Sequence, residues 1–170
     1  MHVLIATDGS IDVAQAVPFA TALTGTEGKT TVATVVRVPR RLVQDLRSAY
    51  GDQPQVNVDS DAEYVGRPQS AAQMERSFPG DDALVDQYLG DKRIEICRPI
   101  AEAIREAGGD AESLAREGDE VEDIIMEIAE EIGADVVVVG AKGKNAFQGL
   151  LGSTGAKLVR RSPVPVLVLR

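Results

Sequence analysis

The fold is decided by the segment Val136-Val137-Val138-Val139-Gly140-Ala141-Lys142-Gly143, which is followed, after eight residues, by Gly152-Ser153-Thr154. Four consecutive β-branched residues predict a strand buried on both faces, as in the centre of a parallel sheet. The two glycines then end the strand and let the backbone approach a ligand closely. The second segment predicts a helix start, where unpaired N–H groups and the helix dipole favour an anion. Together these features predict a phosphate site; the alternative is that the glycines only turn the chain and Ser153 only caps the helix.

Composition and charge limit the classes of function. A chain of 170 residues with 44% hydrophobic residues predicts one domain, residues 1–170, with a sizeable core. The formal charge of −9 opposes binding to nucleic acid or to anionic membranes, and this acidic balance favours a salty cytoplasm. The single cysteine excludes an internal disulfide. Since we find neither a signal peptide nor an apolar run of transmembrane length, we expect a cytoplasmic protein.

Hydrophobic patterns along the chain predict alternating strands and helices. Strands are predicted at His2–Thr7, at Thr30–Val38, at Ala111–Arg116, from Ala134 through the valine run, and at Val164–Leu169. Helices are predicted at Ile11–Leu23 behind a Ser10 N-cap, at Asp82–Ala107 with a break near Pro99, from Asp119 to Gly133, and at Ser153–Arg161. This alternation predicts an α/β fold, an open five-stranded parallel sheet with helices on both faces.

The segment from about residue 40 to residue 80 interrupts the alternation. Gly51–Pro79 is rich in Gly, Pro, Asp, Gln and Ser, with only scattered apolar residues. We therefore expect a surface excursion that is partly disordered or folds over the site, and that does not contribute to the core.

Two predicted loops meet if the first and fourth strands are neighbours. In open parallel sheets, ligands bind beyond the carboxyl ends of the strands, where the strand order reverses. Thr7–Ser10 would bring a carboxylate and a hydroxyl to that edge, and Gly140–Ser153 would bring glycines and a helix N-terminus. This convergence favours a binding function for the glycine loop.

These segments resemble the universal stress protein family. The resemblance is carried by Ala6-Thr7-Asp8-Gly9-Ser10, by Gly118-Asp119 with the run from Ala134 to Gly140, by Gly140-x-x-Gly143 with Gly152-Ser153, and by the closing Arg161–Val168. It implies a Rossmann-like, adenine-nucleotide α-hydrolase-like fold that usually forms a homodimer and acts in stress survival. The family has ATP-binding branches and branches that do not bind nucleotide.

The resemblance also implies an ATP site with Mg²⁺. Its residues would be Asp8, Val35, Gly140, Gly143, Gly152, Ser153 and Thr154. Asp8 would lie near the ribose, the phosphates and any magnesium, and Val35 would offer its backbone to the adenine edge. Gly140 and Gly143 would line the ribose and phosphate path, and the helix start would hold the phosphates.

One departure from the family leaves two alternatives open. Between the second and third glycines the family's ATP-binding pattern has one residue more than the eight of Lys144–Leu151. Either the shortened loop still closes around a phosphate, or the site has lapsed and the protein is a dimeric interaction module. Lys142 and Lys144 have the reach to contact a phosphate, but exposed loop lysines are more often simply solvated.

Catalytic signatures are missing from the sequence. It has no Gly-x-x-x-x-Gly-Lys-Ser/Thr loop, and His2 is the only histidine, so neither P-loop phosphoryl transfer nor a Ser-His or Cys-His nucleophile is expected. Cys97 is interpreted as a small hydrophobic residue. An outer helical face is interpreted as solvated surface, not a metal cluster: Glu120, Glu122, Glu127, Glu130 and Glu131. We therefore expect a nucleotide-binding regulatory protein and not an enzyme.

The last predicted strand suggests how the chain assembles. Val164–Leu169 is short and apolar, and a strand of this kind at a sheet edge invites pairing with another chain. Pro163 and Pro165 lack N–H donors and would limit the pairing to the residues after them. Together with the homodimeric state that the family resemblance implies, this predicts a homodimer through the C-terminal strand.

Overall fold

A computed structural model describes residues 1–39, 41, 81–141 and 152–169. The predicted excursion therefore lies almost wholly outside the described residues, as do Lys142, Gly143 and Lys144. The chain divides into two compact units, one of Met1–Arg37 with Tyr88–Arg170 and one of Val38–Gln87. The single domain stays a prediction, and every described residue of the candidate site belongs to the first unit.

The described strands form one five-stranded sheet in the order β3-β2-β1-β4-β5, with every neighbouring pair parallel. The strands are β1 (His2–Ala6), β2 (Lys29–Val36), β3 (Asp110–Glu117), β4 (Val136–Gly140) and β5 (Val166–Leu169). The helices are α1 (Val13–Thr24), α2 (Asp81–Ile96), α3 (Arg98–Glu106), α4 (Val121–Glu131) and α5 (Ser153–Arg161). The predicted α/β fold with an open five-stranded parallel sheet is confirmed. No helix in the described part of the chain combines the length and the apolar character needed to span a bilayer.

β1 and β4 are neighbours, as the predicted convergence of loops requires. Their register runs from Val3 opposite Val136 to Ala6 opposite Val139. The chain builds β1, β2 and β3 outward in one direction and then returns to place β4 on the other side of β1. The strand order therefore reverses between β1 and β4, which is where such sheets bind ligands.

The central strands are buried on both faces, and successive residues alternate between two cores. Val3 and Val138 face the core that contains residues of α1 and α3, whereas Leu4 and Val137 face the core of α4 and α5. Each of these four side chains is at most 1% exposed. The alternation follows from the two-residue period of a strand and places helices on both faces, as predicted.

Two predicted helix caps are wrong. Asp12, not Ser10, caps α1 by accepting a hydrogen bond from the Ala14 N–H (2.9 Å). Ile11 is 8% exposed and packs into the first core, so the chain enters the helix two residues later than predicted. At α5, Gly152 occupies the N-cap position and makes no side-chain cap, while Ser153 is the first helical residue.

Leu158 and Val159 on α5 give a matched test of the second core. Leu158 is fully buried, whereas its neighbour Val159 is 52% exposed. We expect Leu158→Ala to lower the free energy of unfolding by about 2–5 kcal/mol, because the truncation leaves a cavity. Val159→Ala should stay within about 0.5 kcal/mol of the parent, as most surface substitutions do. Urea unfolding followed by circular dichroism measures both, and equal losses would contradict this placement of α5.

Candidate functional site

The end of β1 holds Asp8 in a tight turn. The Thr7 hydroxyl accepts a hydrogen bond from the Gly9 N–H (2.9 Å), and Asp8 Oδ1 accepts from both the N–H (3.0 Å) and the hydroxyl (2.5 Å) of Ser10. Gly9 has a φ of 89°, in the left-handed region that favours glycine. The turn therefore fixes an exposed carboxylate directly beyond the carboxyl end of β1.

The backbone of Val35 opens toward the space beyond β1. Pairing between β1 and β2 ends at Ala6 opposite Ala33, and the Ala33 carbonyl accepts a hydrogen bond from the Thr7 N–H (2.9 Å). Backbone groups alternate between the two edges of a strand, so those of Val35 point to the same side as those of Ala33. On the opposite edge, the Val36 carbonyl accepts from the Gly118 N–H (3.1 Å). Val35 thus directs an N–H donor and a C=O acceptor past the end of β1.

Ala141 and Gly152, the described residues on either side of segment 142–151, meet at the carboxyl end of β4. Gly140 pairs with Leu169, and the Ala141 N–H donates to the Leu169 carbonyl (2.6 Å). The Gly152 N–H then donates to the Ala141 carbonyl (3.2 Å), which places the start of α5 directly beside the end of β4.

The first turn of α5 carries backbone donors without a helical acceptor. The first hydrogen bond of the helix runs from the Ala156 N–H to the Gly152 carbonyl (2.9 Å). The N–H groups of Ser153, Thr154 and Gly155 precede it and have no acceptor within the helix. They are suited to a phosphate, since the positive end of the helix dipole lies at the same place.

The structure brings six of the seven predicted site residues to one edge of the sheet. Val35 and Gly140 lie in the last residues of β2 and β4, and Asp8 follows β1. The start of α5, after β4, supplies Gly152, Ser153 and Thr154. Gly143 lies outside the described residues. A further pair stands next to Val35, because Arg37 Nη2 donates to the Asp119 carbonyl (2.7 Å) and joins the loops that follow β2 and β3.

Residues that commonly carry catalysis lie elsewhere. His2 is at the opposite, amino end of the sheet, where its Nε2 is 2.8 Å from the Thr31 hydroxyl. Cys97 is fully buried, and burial raises the pKa of its thiol to about 12, so it stays protonated and unreactive. Among the described residues, no group of three or more His, Cys, Asp or Glu side chains is placed to hold a metal ion.

The prediction of a fully solvated glutamate face on α4 is wrong at Glu122. Its side chain is only 6% exposed and accepts a hydrogen bond from the Lys157 ammonium of α5. The Lys157 ammonium holds the pKa of the Glu122 carboxyl below its usual range. The next residue, Asp123, has Oδ1 2.8 Å from Arg161 Nη2. No sequence signal identified this contact, because two basic residues four apart on one helix do not indicate which acids of another helix they meet.

These features define a class of protein built on an open parallel sheet. In this class, a helix N-terminus that follows glycines lies at the point where the strand order reverses. The chain belongs to the universal stress protein family, whose model matches residues 1–170. It is 46% identical over 50 residues to universal stress protein G of Shigella flexneri. That match covers 29% of this chain and 35% of the relative, so the chain spans about a third of the length of this curated relative.

Solved structures of the family share the fold at low sequence identity. A universal stress protein in complex with cAMP superposes with a TM-score of 0.56 at 21% identity, covering 100% of this chain and 96% of that chain. A universal stress protein family protein from Arabidopsis thaliana with AMP bound gives 0.55 at 16% identity, covering 99% and 90%. The adenine-nucleotide α-hydrolase-like fold expected from the sequence is therefore confirmed.

The lowered pKa of Glu122 predicts a dependence of stability on pH. A carboxyl with a folded-state pKa below its unfolded value stabilises the fold above the unfolded pKa and loses that contribution as the pH falls. We expect Glu122→Gln to destabilise the protein at about pH 7 by more than the ~0.5 kcal/mol typical of surface changes. The difference from the parent should shrink below about pH 4, the ordinary range of a glutamate.

Denaturant unfolding between neutral and acidic pH measures this difference. The matched control is Glu127→Gln, because Glu127 is exposed on the same helix. A loss for Glu122→Gln that does not change with pH would argue for packing instead of the ion pair.

Proposed function

We propose that the chain is a nucleotide-binding stress-response protein of the cytoplasm that takes ATP with Mg²⁺ at the carboxyl edge of β2, β1 and β4. The proposal treats residues 1–170 as one domain, which is the extent of the family match. One observation supports it most directly. Backbone N–H donors point into the space beyond the strand ends on both sides of Asp8, at Val35 of β2 and at the start of α5. A donor and acceptor pair suits a base at one end, and an anion-binding helix start suits phosphates at the other.

Val35 is the proposed contact for the base. Its N–H and C=O point past the end of β1, and an adenine edge presents the complementary acceptor and donor. Relatives of the same fold have cAMP or AMP bound, which supports an adenine nucleotide as the ligand class. The Arg37–Asp119 contact joins the loops that follow β2 and β3 near this position.

The start of α5 is the proposed contact for the phosphates. Gly140 and Gly152 let the backbone approach closely, and Ser153 and Thr154 add hydroxyls to the N–H donors of the first helical turn. No acidic side chain stands in that turn to compete with a phosphate. Gly143 is proposed to complete the phosphate path from within segment 142–151.

Asp8 is the proposed magnesium contact. Mg²⁺ prefers oxygen ligands and is commonly held by one or two carboxylates together with nucleotide phosphates. A single fixed carboxylate beside a phosphate site fits that pattern, with the remaining ligands supplied by phosphates and water. The chain's charge of −9 repels a polyanion at long range, so magnesium and salt should both favour binding.

The site is proposed to bind the nucleotide and not to be specialised for its hydrolysis. Asp8 is the one titratable side chain among the described site residues, and neither His2 nor Cys97 is one of them. The competing interpretation is that the protein is a dimeric interaction module with an empty site. The shortened glycine loop is the reason why this interpretation stays an alternative.

Ser153 allows the backbone donor to be tested apart from the hydroxyl. Ser153→Pro removes the N–H and the hydroxyl, whereas Ser153→Ala removes only the hydroxyl. Proline is well tolerated at the first helical position, and Gly152, with φ −56° and ψ 154°, already has the extended backbone that precedes a proline. We expect Ser153→Pro to weaken ATP binding roughly 10- to 100-fold, because a hydrogen bond to a charged group contributes ~1.5–3 kcal/mol. Ser153→Ala should have the smaller effect.

Calorimetry with ATP and Mg²⁺ in concentrated salt measures both variants, with melting temperature as the control for folding. Mass spectrometry of the denatured protein shows whether a nucleotide copurifies. Absence of binding by the parent chain under all these conditions would replace the nucleotide proposal with the interaction module.

We also propose a homodimer through β5. This strand lies at the edge of the sheet and pairs with β4 through the carbonyls of Pro165 and Leu169. By alternation, the backbone groups of Val166 and Val168 point to the open edge. Two copies of the chain are proposed to pair along this edge.

Val168→Pro tests the edge pairing. It removes one outward N–H without removing a bond to β4, and proline is tolerated on the solvent side of an edge strand. The matched control is Val168→Ala, which shortens the same side chain and keeps the N–H. We expect the mass in sedimentation equilibrium to fall from two chains to one for the proline variant only. A single-chain mass for the parent, or an unchanged dimer in Val168→Pro, would count against β5 as the interface.

A further inference from the structure

Two neighbouring ion pairs join α4 to α5 close to the candidate site. Glu122 binds Lys157, and Asp123 lies beside Arg161, so adjacent acids on one helix meet bases one turn apart on the other. We call these four residues the α4–α5 clasp. Both helices start at the carboxyl edge of the sheet, so the clasp lies on the elements that border the site.

The burial of Glu122 sets this contact apart from the other ion pairs of the described residues. Its side chain is 6% exposed, whereas the acidic partners of the other pairs are at least 40% exposed. Taking a carboxylate out of water is costly, and a well-packed apolar pair in its place is often as stable or more so. Stability alone therefore gives a weak reason for a charged pair here, whereas directional contacts constrain geometry.

The clasp constrains the part of α5 that presents the phosphate donors. Lys157 lies four residues after Ser153, so both are on one face of the helix. Leu158 anchors α5 in the core, and the Gly152–Ala141 hydrogen bond holds the N-cap residue of α5 beside the end of β4. The contact with Glu122 adds a third, lateral point, which fixes the rotation of the helix about its own axis.

We infer that Glu122, through Lys157, is a positioning residue that aims the N–H groups of Ser153, Thr154 and Gly155 at the nucleotide phosphates. The inference rests on the proposed nucleotide site. Binding of the phosphates then depends on Glu122 of α4, whose side chain does not itself contact the nucleotide. The adenine part depends on Val35 of β2 and is independent of the clasp.

The test is the double variant Glu122→Leu/Lys157→Met, which keeps apolar packing and changes no net charge. We expect ATP affinity to fall about tenfold, equivalent to ~1.4 kcal/mol, while adenosine affinity stays unchanged. Lys157→Arg keeps the pairing and should retain ATP affinity. The matched control is Glu131→Gln, which breaks the exposed α4 pair with Arg116 (2.6 Å) and should change neither affinity.

The single variant Glu122→Gln separates positioning from long-range charge. It removes a negative charge, so a purely electrostatic role predicts tighter ATP binding, whereas mispositioned donors predict weaker binding. Hydrogen exchange of the ligand-free protein gives an independent readout. The amides of residues 153–155 should exchange faster in the double variant than in the parent or in Glu131→Gln.

The outcomes distinguish this inference from the proposal on which it rests. If the parent chain binds neither ATP nor adenosine, the proposed site fails and the positioning role fails with it. If the parent binds ATP and the double variant keeps the same ratio of ATP to adenosine affinity, the positioning role alone is wrong. An equal loss for both ligands would also overturn it, since that result indicates general loosening of the fold.

Discussion

The parallel pairing of β1 with β4 is the constraint on which the remaining architecture depends. Because Ala6 stands opposite both Ala33 and Val139, three strands from distant parts of the chain lie side by side at the level where β1 ends. β1 stops there, but β2 continues through Val36. Because β2 extends beyond the end of β1, the backbone of Val35 has no partner on β1. Val35 lies at the same edge of the sheet at which β4 ends and the glycine loop begins.

The chemistry at this edge is supplied mainly by the main chain. A chain with a net charge of −9 has little positive charge to spare, and several lysines and arginines of the described helices are paired with acids, as Lys157 and Arg161 are. Fixed N–H groups at a helix start bind an anion without a counter-charge from a side chain. In the proposed site their geometry would therefore matter more than the number of charges, and α5, which carries them, contacts the end of β4, the core and α4.

Family membership and fold persist here at low sequence identity. Relatives with bound AMP or cAMP are only 16–21% identical over nearly the full chain, and their TM-scores are 0.55–0.56. What such distant sequences can share is a physical pattern: an apolar strand buried on both faces, glycines after it, and a helix start that needs no particular side chain. These requirements restrict residue type at a few positions and leave most others free to vary.

The sequence by itself determined the features that local chemistry controls. Four consecutive valines have no stable place except a strand buried on both faces, and glycines with a helix start beyond them predict the loop and α5. Together with Ala6–Ser10, Gly118-Asp119 and Arg161–Val168, these segments carry the resemblance to the family, and the family model confirms it.

Only the tertiary structure decided which groups are brought together. The Asp12 cap depends on Ile11 packing into the core, the opening of Val35 depends on where β1 stops, and the burial of Glu122 depends on α5 lying beside α4. None of these contacts is visible in the sequence, because each joins residues whose separation in space is set by the packing of other elements.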